Sequence, residues 1–280
     1  MTPHPIVSGA AAGATLLAAA SAAAGPVQTD HVGLELVSET TALAPGRSAT
    51  LGLRFVHEPH WHTYWINPGD SGLAAKLSWQ LPAGFKAGEI LWPAPQRFDV
   101  DGLFNFGYSG DVLLPVQLEV PSNAKRGSAV QLAVEARWLV CREECIPGKA
   151  MLTLDLPIAA EAVTDPRWHA GFAAARAAQP QRAAWTGAAH ERGDRIEVAL
   201  SGSDLPSDPA LDAFVVQRQV VGYAPPQINR GASTLTVSFA KSEYFTSVPA
   251  ALDLLLVAGV PPNIRAWSAT APLVTDKAQP

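Results

Sequence analysis

Apolar and polar residues alternate with a period of two along most of this chain. "ATLGLRFV" (49–56), "KLSWQL" (76–81), "DVLLPVQLEV" (111–120), "AVQLAVEARWLV" (129–140) and "AMLTLDLPI" (150–158) each put apolar, β-branched or aromatic residues on one face, as half-buried strands do. Turn residues separate them in "APGR", "NPGDSG", "LPAGF" and "PSNAKRGS". Short strands at this spacing predict an all-β sandwich.

The alternation breaks once, at "TDPRWHAGFAAARAAQPQ" (164–181). Here Asp165 is placed to N-cap a short helix, Pro166 suits its first position, and Pro180 ends it. Strand-like alternation then resumes in "DRIEVAL", "AFVVQRQV", "STLTVSFA" and "ALDLLLVAG". The expected layout is a sandwich over 28–160, a helical linker over 161–183 and a second β-sandwich over 184–280. The second half has one histidine, His190, in a polar stretch, and no recognisable site chemistry.

Composition narrows the function. With 48% hydrophobic and 16% charged residues, the 280-residue chain has the means to bury a core. A formal charge of -5 and the lack of a basic run interleaved with aromatics argue against nucleic acid as a partner. An apolar stretch from Ile6 to Leu17, followed by Ala22-Ala23-Ala24, reads as a signal peptide over 1–24, although its start has His4 in place of Lys or Arg. Export would place the protein in an oxidising compartment. No other segment approaches the length of a membrane span, and no organic cofactor site is visible.

The chain has two cysteines, both in "RWLVCREECIPGKA" (137–150). In one extended strand Cys141 and Cys145 would lie about 13 Å apart, so bonding them requires the chain to fold back at "REE". So small a ring adds only about 2 kcal/mol as a chain-entropy staple, whereas small or strained rings are the more reducible ones. Arg142 favours a thiolate while Glu143 and Glu144 oppose it. Two alternatives stand beside exchange: a structural disulfide in a noncatalytic, partner-binding sandwich, and copper or zinc held by the cysteines with His57, His60 and His62 of "HEPHWH".

"PHWHTYWINPGDSGLAAKLSWQLPAGFKAGEILWPAPQRF", "FGYSGDVLLPV" and "WLVCREECIPGKAMLTLDLP" together resemble the N-terminal periplasmic domain of the DsbD and ScsB thiol-disulfide reductases, over about residues 31–158. The second β domain looks like the continuation found in ScsB-type proteins. The resemblance implies an immunoglobulin-like sandwich, and two such sandwiches joined by the short helix. It also implies a redox pair, Cys141 and Cys145, on a β-hairpin, with Cys145 as the attacking residue. An aromatic cap loop is expected at "FDVDGLFNFGYSG" (98–110), with Phe104 and Phe106 as its cap and Tyr108, Asp99 and Asp101 beside them. The implied electron donor is a membrane-embedded thiol reductase. The implied acceptors are periplasmic thioredoxin-like, disulfide-isomerase, cytochrome-maturation or copper-handling thiol proteins. No counterpart of the membrane or thioredoxin-like domains of better-known relatives is read here, so the donor is expected to be a separate polypeptide.

Overall fold

The computed structural model of the chain describes residues 25–261 and 263–274; the expected leader over 1–24 lies outside them. The first half contains eleven strands: β1 (Val27–Thr29), β2 (Val32–Ser38), β3 (Ser48–His57), β4 (His62–Gly69), β5 (Lys76–Gln80), β6 (Lys86–Ile90), β7 (Gln96–Val100), β8 (Leu103–Ser109), β9 (Asp111–Glu119), β10 (Ala129–Cys141) and β11 (Cys145–Pro157). They form two sheets, ordered β1-β2-β3-β9-β6 and β11-β10-β4-β8-β7, and β5 adds to β10 on the side that β4 also borders.

Period-two patterning sets which face each strand buries. In β10, Val130, Leu132, Val134, Ala136, Trp138 and Val140 point inward, and Ala150, Leu152, Leu154 and Leu156 of β11 join them. Leu51, Leu53 and Phe55 of β3 and Leu114, Val116 and Leu118 of β9 complete the same core from the facing sheet. This is an immunoglobulin-like sandwich.

A helix, α1 (His169–Ala177), follows. It packs Phe172 and Ala175 on Val37 and Leu113, on the outer side of the β1-to-β6 sheet. The helix starts later than Asp165-Pro166 suggests. A carboxylate oxygen of Asp165 accepts the Arg167 N–H at 2.9 Å, and the side chains form an ion pair at 2.6 Å. With that carboxylate committed to a turn, Trp168 takes the N-cap position without a capping side chain.

The second half holds β12 (Gln181–Arg182), β13 (Thr186–Arg192), β14 (Arg195–Ser201), β15 (Asp212–Val215), β16 (Gln227–Arg230), β17 (Thr234–Ala240), β18 (Ala251–Ala258) and β19 (Arg265–Pro272). Its sheets run β12-β19-β18-β15 and β13-β14-β17-β16 around a second core. The first core does not end at the first sandwich, because Phe214, Tyr223, Leu255, Val257 and Ala266 belong to the same apolar cluster.

Trp138 and Gly148 are cross-strand partners in the β10–β11 hairpin, and the indole lies where a Gly148 side chain would be. A Cβ at Gly148 would come within 2.2 Å of that ring. Gly148→Ala is therefore expected to cost about 1–3 kcal/mol by overpacking. Urea unfolding checks this, and an unchanged midpoint contradicts the packing.

Candidate functional site

The β10–β11 ladder ends on Cys141 paired with Cys145. Their Cα atoms lie 4.2 Å apart and a disulfide joins them. Arg142, Glu143 and Glu144 make the turn, closed by the Arg142 N–H donating to the Glu144 carbonyl at 3.1 Å. Since the even-numbered residues of both strands face the core, the two cysteines face outward. Their exposures differ: Cys141 is 2% exposed, whereas Cys145 is open to solvent. Arg142 reaches back over the Trp61 ring at 5.6 Å, and Trp61 stacks on His31 at 3.8 Å, which fixes one side of the turn.

Cover for the pair comes from β4. His62 pairs with Cys141, and Tyr64, two residues on, shares its face. The Tyr64 hydroxyl lies 3.5 Å from Cys145 Sγ. The oxidised sulfur has no proton, so the phenol is the donor. The His62 ring stacks on Phe98 at 4.6 Å and meets Tyr64 edge-on at 5.2 Å. Both residues sit on the outer face of their sheet, yet Tyr64 is 1% and His62 2% exposed. Phe98 covers the histidine, and the loop after β4 covers the tyrosine. At Gly72, with φ of +94°, a Cβ would fall 2.2 Å from the Tyr64 ring, so that approach requires glycine.

Burial also sets the protonation states. Desolvation, helped by nearby His57, lowers the His62 pKa to about 4, and Nε2 of His62 is buried without a hydrogen-bond partner. Desolvation lowers His57 as well, opposed by its bond to the Gly110 carbonyl. Burial raises the Tyr64 phenol, with the Ser71 hydroxyl acting in the opposite direction. The pair is therefore bordered by a neutral imidazole and a neutral phenol.

The segment expected to be a cap loop is a β-hairpin. β7 and β8 pair through a two-residue turn in which Asp101 and Gly102 both have positive φ, 52° and 85°, as a type I′ turn requires. The Asp99 carboxylate accepts the Gly102 N–H at 2.9 Å, and Asp99 and Asp101 are exposed at this end. Register puts Phe104, Phe106 and Tyr108 together on the inner face, and Phe98, opposite Asn105, on the outer. Phe104 is half-buried against the core, and its N–H donates to Asp70 at 2.7 Å. Phe106 is 2% exposed and makes a T-shaped contact with Phe214 at 4.8 Å. Tyr108 donates to the Pro93 carbonyl at 2.7 Å, and burial pushes its phenol well above its usual range. Phe106 and Tyr108 are core residues rather than a cap. Phe98 and Tyr64 are the aromatics at the site; both stand in the quoted stretches, but only the strand register shows that they share the outer face.

The histidines of "HEPHWH" do not converge. His57 holds the Gly110 carbonyl through Nδ1 at 2.7 Å and Thr63 Oγ1 through Nε2 at 3.0 Å. His60 is an exposed turn residue with φ of 73°, and His62 lies under Phe98. Among the described residues no group of three or more His, Cys, Asp or Glu side chains is arranged to hold a metal ion. An open cleft of about 650 Å³ beside the cysteine turn is lined by His60, His62, Phe98, Asp101, Arg142 and Glu143 among others. Another cavity, about 400 Å³ between α1, β9 and Ile264, contains no cysteine or histidine.

Residues 34–157 match the family described as "Thiol:disulfide interchange protein DsbD, N-terminal". The crystal structure of the N-terminal periplasmic domain of ScsB from Proteus mirabilis is similar with a TM-score of 0.68 at 19% identity, covering 90% of this chain and 99% of that one. That likeness in fold extends over both sandwiches. A chimeric titin Z1Z2 covers 89% of this chain and 100% of its own at 12% identity, with a TM-score of only 0.21. The yeast GGA1 GAE domain covers 46% and 94% at 14% identity, with a TM-score of 0.26. No curated protein matches the chain. Among the described residues no helix is long and apolar enough to cross a membrane.

His62 makes stability pH-dependent. The unfolded chain protonates this residue near its ordinary 6.5, but the folded chain only near 4. Between those values the unfolded state binds more protons, so stability falls as pH drops from 6.5 toward 4. The loss amounts to on the order of 3 kcal/mol at the acid end. His62→Phe is expected to flatten this part of the urea-midpoint profile, leaving the smaller slope of His57. An unchanged slope means that His62 is not held neutral.

Proposed function

Because residues 34–157 are a DsbD N-terminal domain, we propose that Cys141 and Cys145 form the exchange pair of a periplasmic relay that passes electrons between a membrane-embedded thiol reductase and thiol proteins of the same compartment. The observation that carries this reading is the asymmetry of the disulfide: Cys145 is an exposed residue and Cys141 a buried one, with a phenol beside the Cys145 sulfur.

Exchange runs through a mixed disulfide. A thiolate of the donor attacks Cys145 Sγ, the Cys141–Cys145 bond breaks, and Cys141 leaves as a thiolate that takes up a proton. The donor's second thiolate then attacks its own sulfur in the mixed disulfide and releases Cys145. The Tyr64 hydroxyl lies where it donates to this departing Cys145 thiolate. The donor ends as a disulfide and the pair as a dithiol, two electrons and two protons having moved. With an acceptor the sequence reverses: Cys145 attacks, and Cys141 resolves. Acceptors of this chemistry are thioredoxin-like or disulfide-isomerase proteins, including those that serve cytochrome maturation or copper handling.

Phe98, which seals the outer face at His62, is the cap in this reading. Arg142 and Glu143 on the cleft wall meet the partner.

Two measurements test the proposal. Cys141→Ser is expected to leave a Cys145 thiol that attacks the disulfide form of an acceptor and accumulates as the mixed disulfide, while Cys145→Ser forms little. Equal trapping by both variants removes the assigned polarity, and a wild-type potential well below about -300 mV marks the bond as a structural staple. Phe98→Ala is expected to hasten oxidation of the reduced pair by small oxidants; unchanged kinetics argue against Phe98 as the cap.

A further inference from the structure

The second sandwich has no cysteine and no site chemistry of its own, yet β15 reaches both strands that cover the disulfide. Arg97 of β7 carries most of this contact. Its guanidinium donates to both carboxylate oxygens of Asp212, at 3.0 and 2.8 Å, to the Ala213 carbonyl at 2.9 Å, and to the carbonyl of Tyr223. The same group lies over both the Phe106 and Phe214 rings, 4.7 and 4.8 Å from their centroids. A bidentate guanidinium packed against two rings is held in orientation as well as position. The Arg97 side chain is 9% exposed.

The second anchor is on β4. Asn67, fully buried, donates to the Val215 carbonyl at 2.9 Å, while its own oxygen accepts the Gly69 N–H at 3.2 Å. Trp65 of the same strand meets Phe214 edge-on at 6.2 Å. β15 thus grips β7 through Arg97 and β4 through Asn67 and Trp65.

Side chains alternate across a strand, so what is gripped on one face positions what lies on the other. Next to Arg97, on the opposite face, is Phe98, which stacks on His62. Two residues before Asn67 comes Trp65, and next to that, facing out, is Tyr64, whose hydroxyl touches Cys145. We infer that the second sandwich is a brace: docking of β15 on Arg97 and Asn67 holds the β7–β8 hairpin and β4 closed over Cys141–Cys145, and so sets how readily a thiol reaches the pair. Arg97 and Asp212 are its positioning residues. The inference rests on the exchange reading for its consequence, though not for its geometry.

Asp212→Asn tests it from the second domain, without touching the outer face. The rate of disulfide reduction by dithiothreitol is expected to rise about fivefold, equivalent to about 1 kcal/mol in the barrier, while the equilibrium reduction potential stays the same. A general loss of structure would alter both. Arg97→Gln should act in the same direction, and the double variant should be no faster than Arg97→Gln alone, because both disrupt one contact. Glu197→Gln, on β14, serves as a control and should leave the rate unchanged. An unchanged rate in folded Asp212→Asn protein overturns the brace. Should the wild-type disulfide resist dithiothreitol altogether, the exchange reading fails, and amide hydrogen exchange then decides the brace separately. Faster exchange of the β7–β8 hairpin in Asp212→Asn supports it, and identical exchange rejects it.

Discussion

The ladder between β10 and β11 pairs thirteen residues of each strand, and its register decides where every group at the site lies. Even-numbered residues fill the core, so odd-numbered Cys141 and Cys145 emerge on the outer face as next neighbours. A slip of one residue between the two strands would put the two sulfurs on opposite faces, where they could not bond. Trp138 packed over Gly148 opposes that slip, because no other residue type leaves room for the indole there. The disulfide's position is thus a product of packing in the interior, and the bond only closes a hairpin that packing has already aligned.

A sulfur pair on the outside of a sheet would be open to any oxidant or thiol, and the chain counters this on one side only. His62 and Tyr64 are drawn under a second layer made of Phe98 and the glycine-bearing loop at Gly72, which buries Cys141 while Cys145 stays accessible. Removing water from this layer keeps the imidazole and the phenol uncharged, so Arg142, Glu143 and Glu144 in the turn are the nearest charges along the chain. Directed access to one sulfur follows from shape more than from field.

Much of this was legible in the residues. Strands β3, β5, β9, β10, β14, β17 and β18 stand where alternation predicts them, most plainly β10 and β14, in which burial alternates residue by residue. The hairpin at the cysteines follows from the geometry of bonding two residues so close in sequence. What alternation does not record is which way a strand faces. Phe104 and Phe106 look like cap residues until Asp101-Gly102 is recognised as a two-residue turn, whose register sends them inward and Phe98 outward. The start of α1 was misplaced because Asp165 also has Arg167 to bind. Tyr64 and Arg97 gave no local signal, since one acts on a sulfur 81 residues away and the other on a carboxylate 115 residues away.

The apolar cluster of the first sandwich continues through Phe214, Tyr223, Leu255, Val257 and Ala266. Apolar surface shared in this way ties the stability of one sandwich to the presence of the other. Cutting the chain at the helix would wet Trp65 and Phe106 and leave the Arg97 guanidinium without its carboxylate. A freed apolar face of that kind promotes association between copies. The redox module and its companion are for that reason one physical object, although the sequence reads as two.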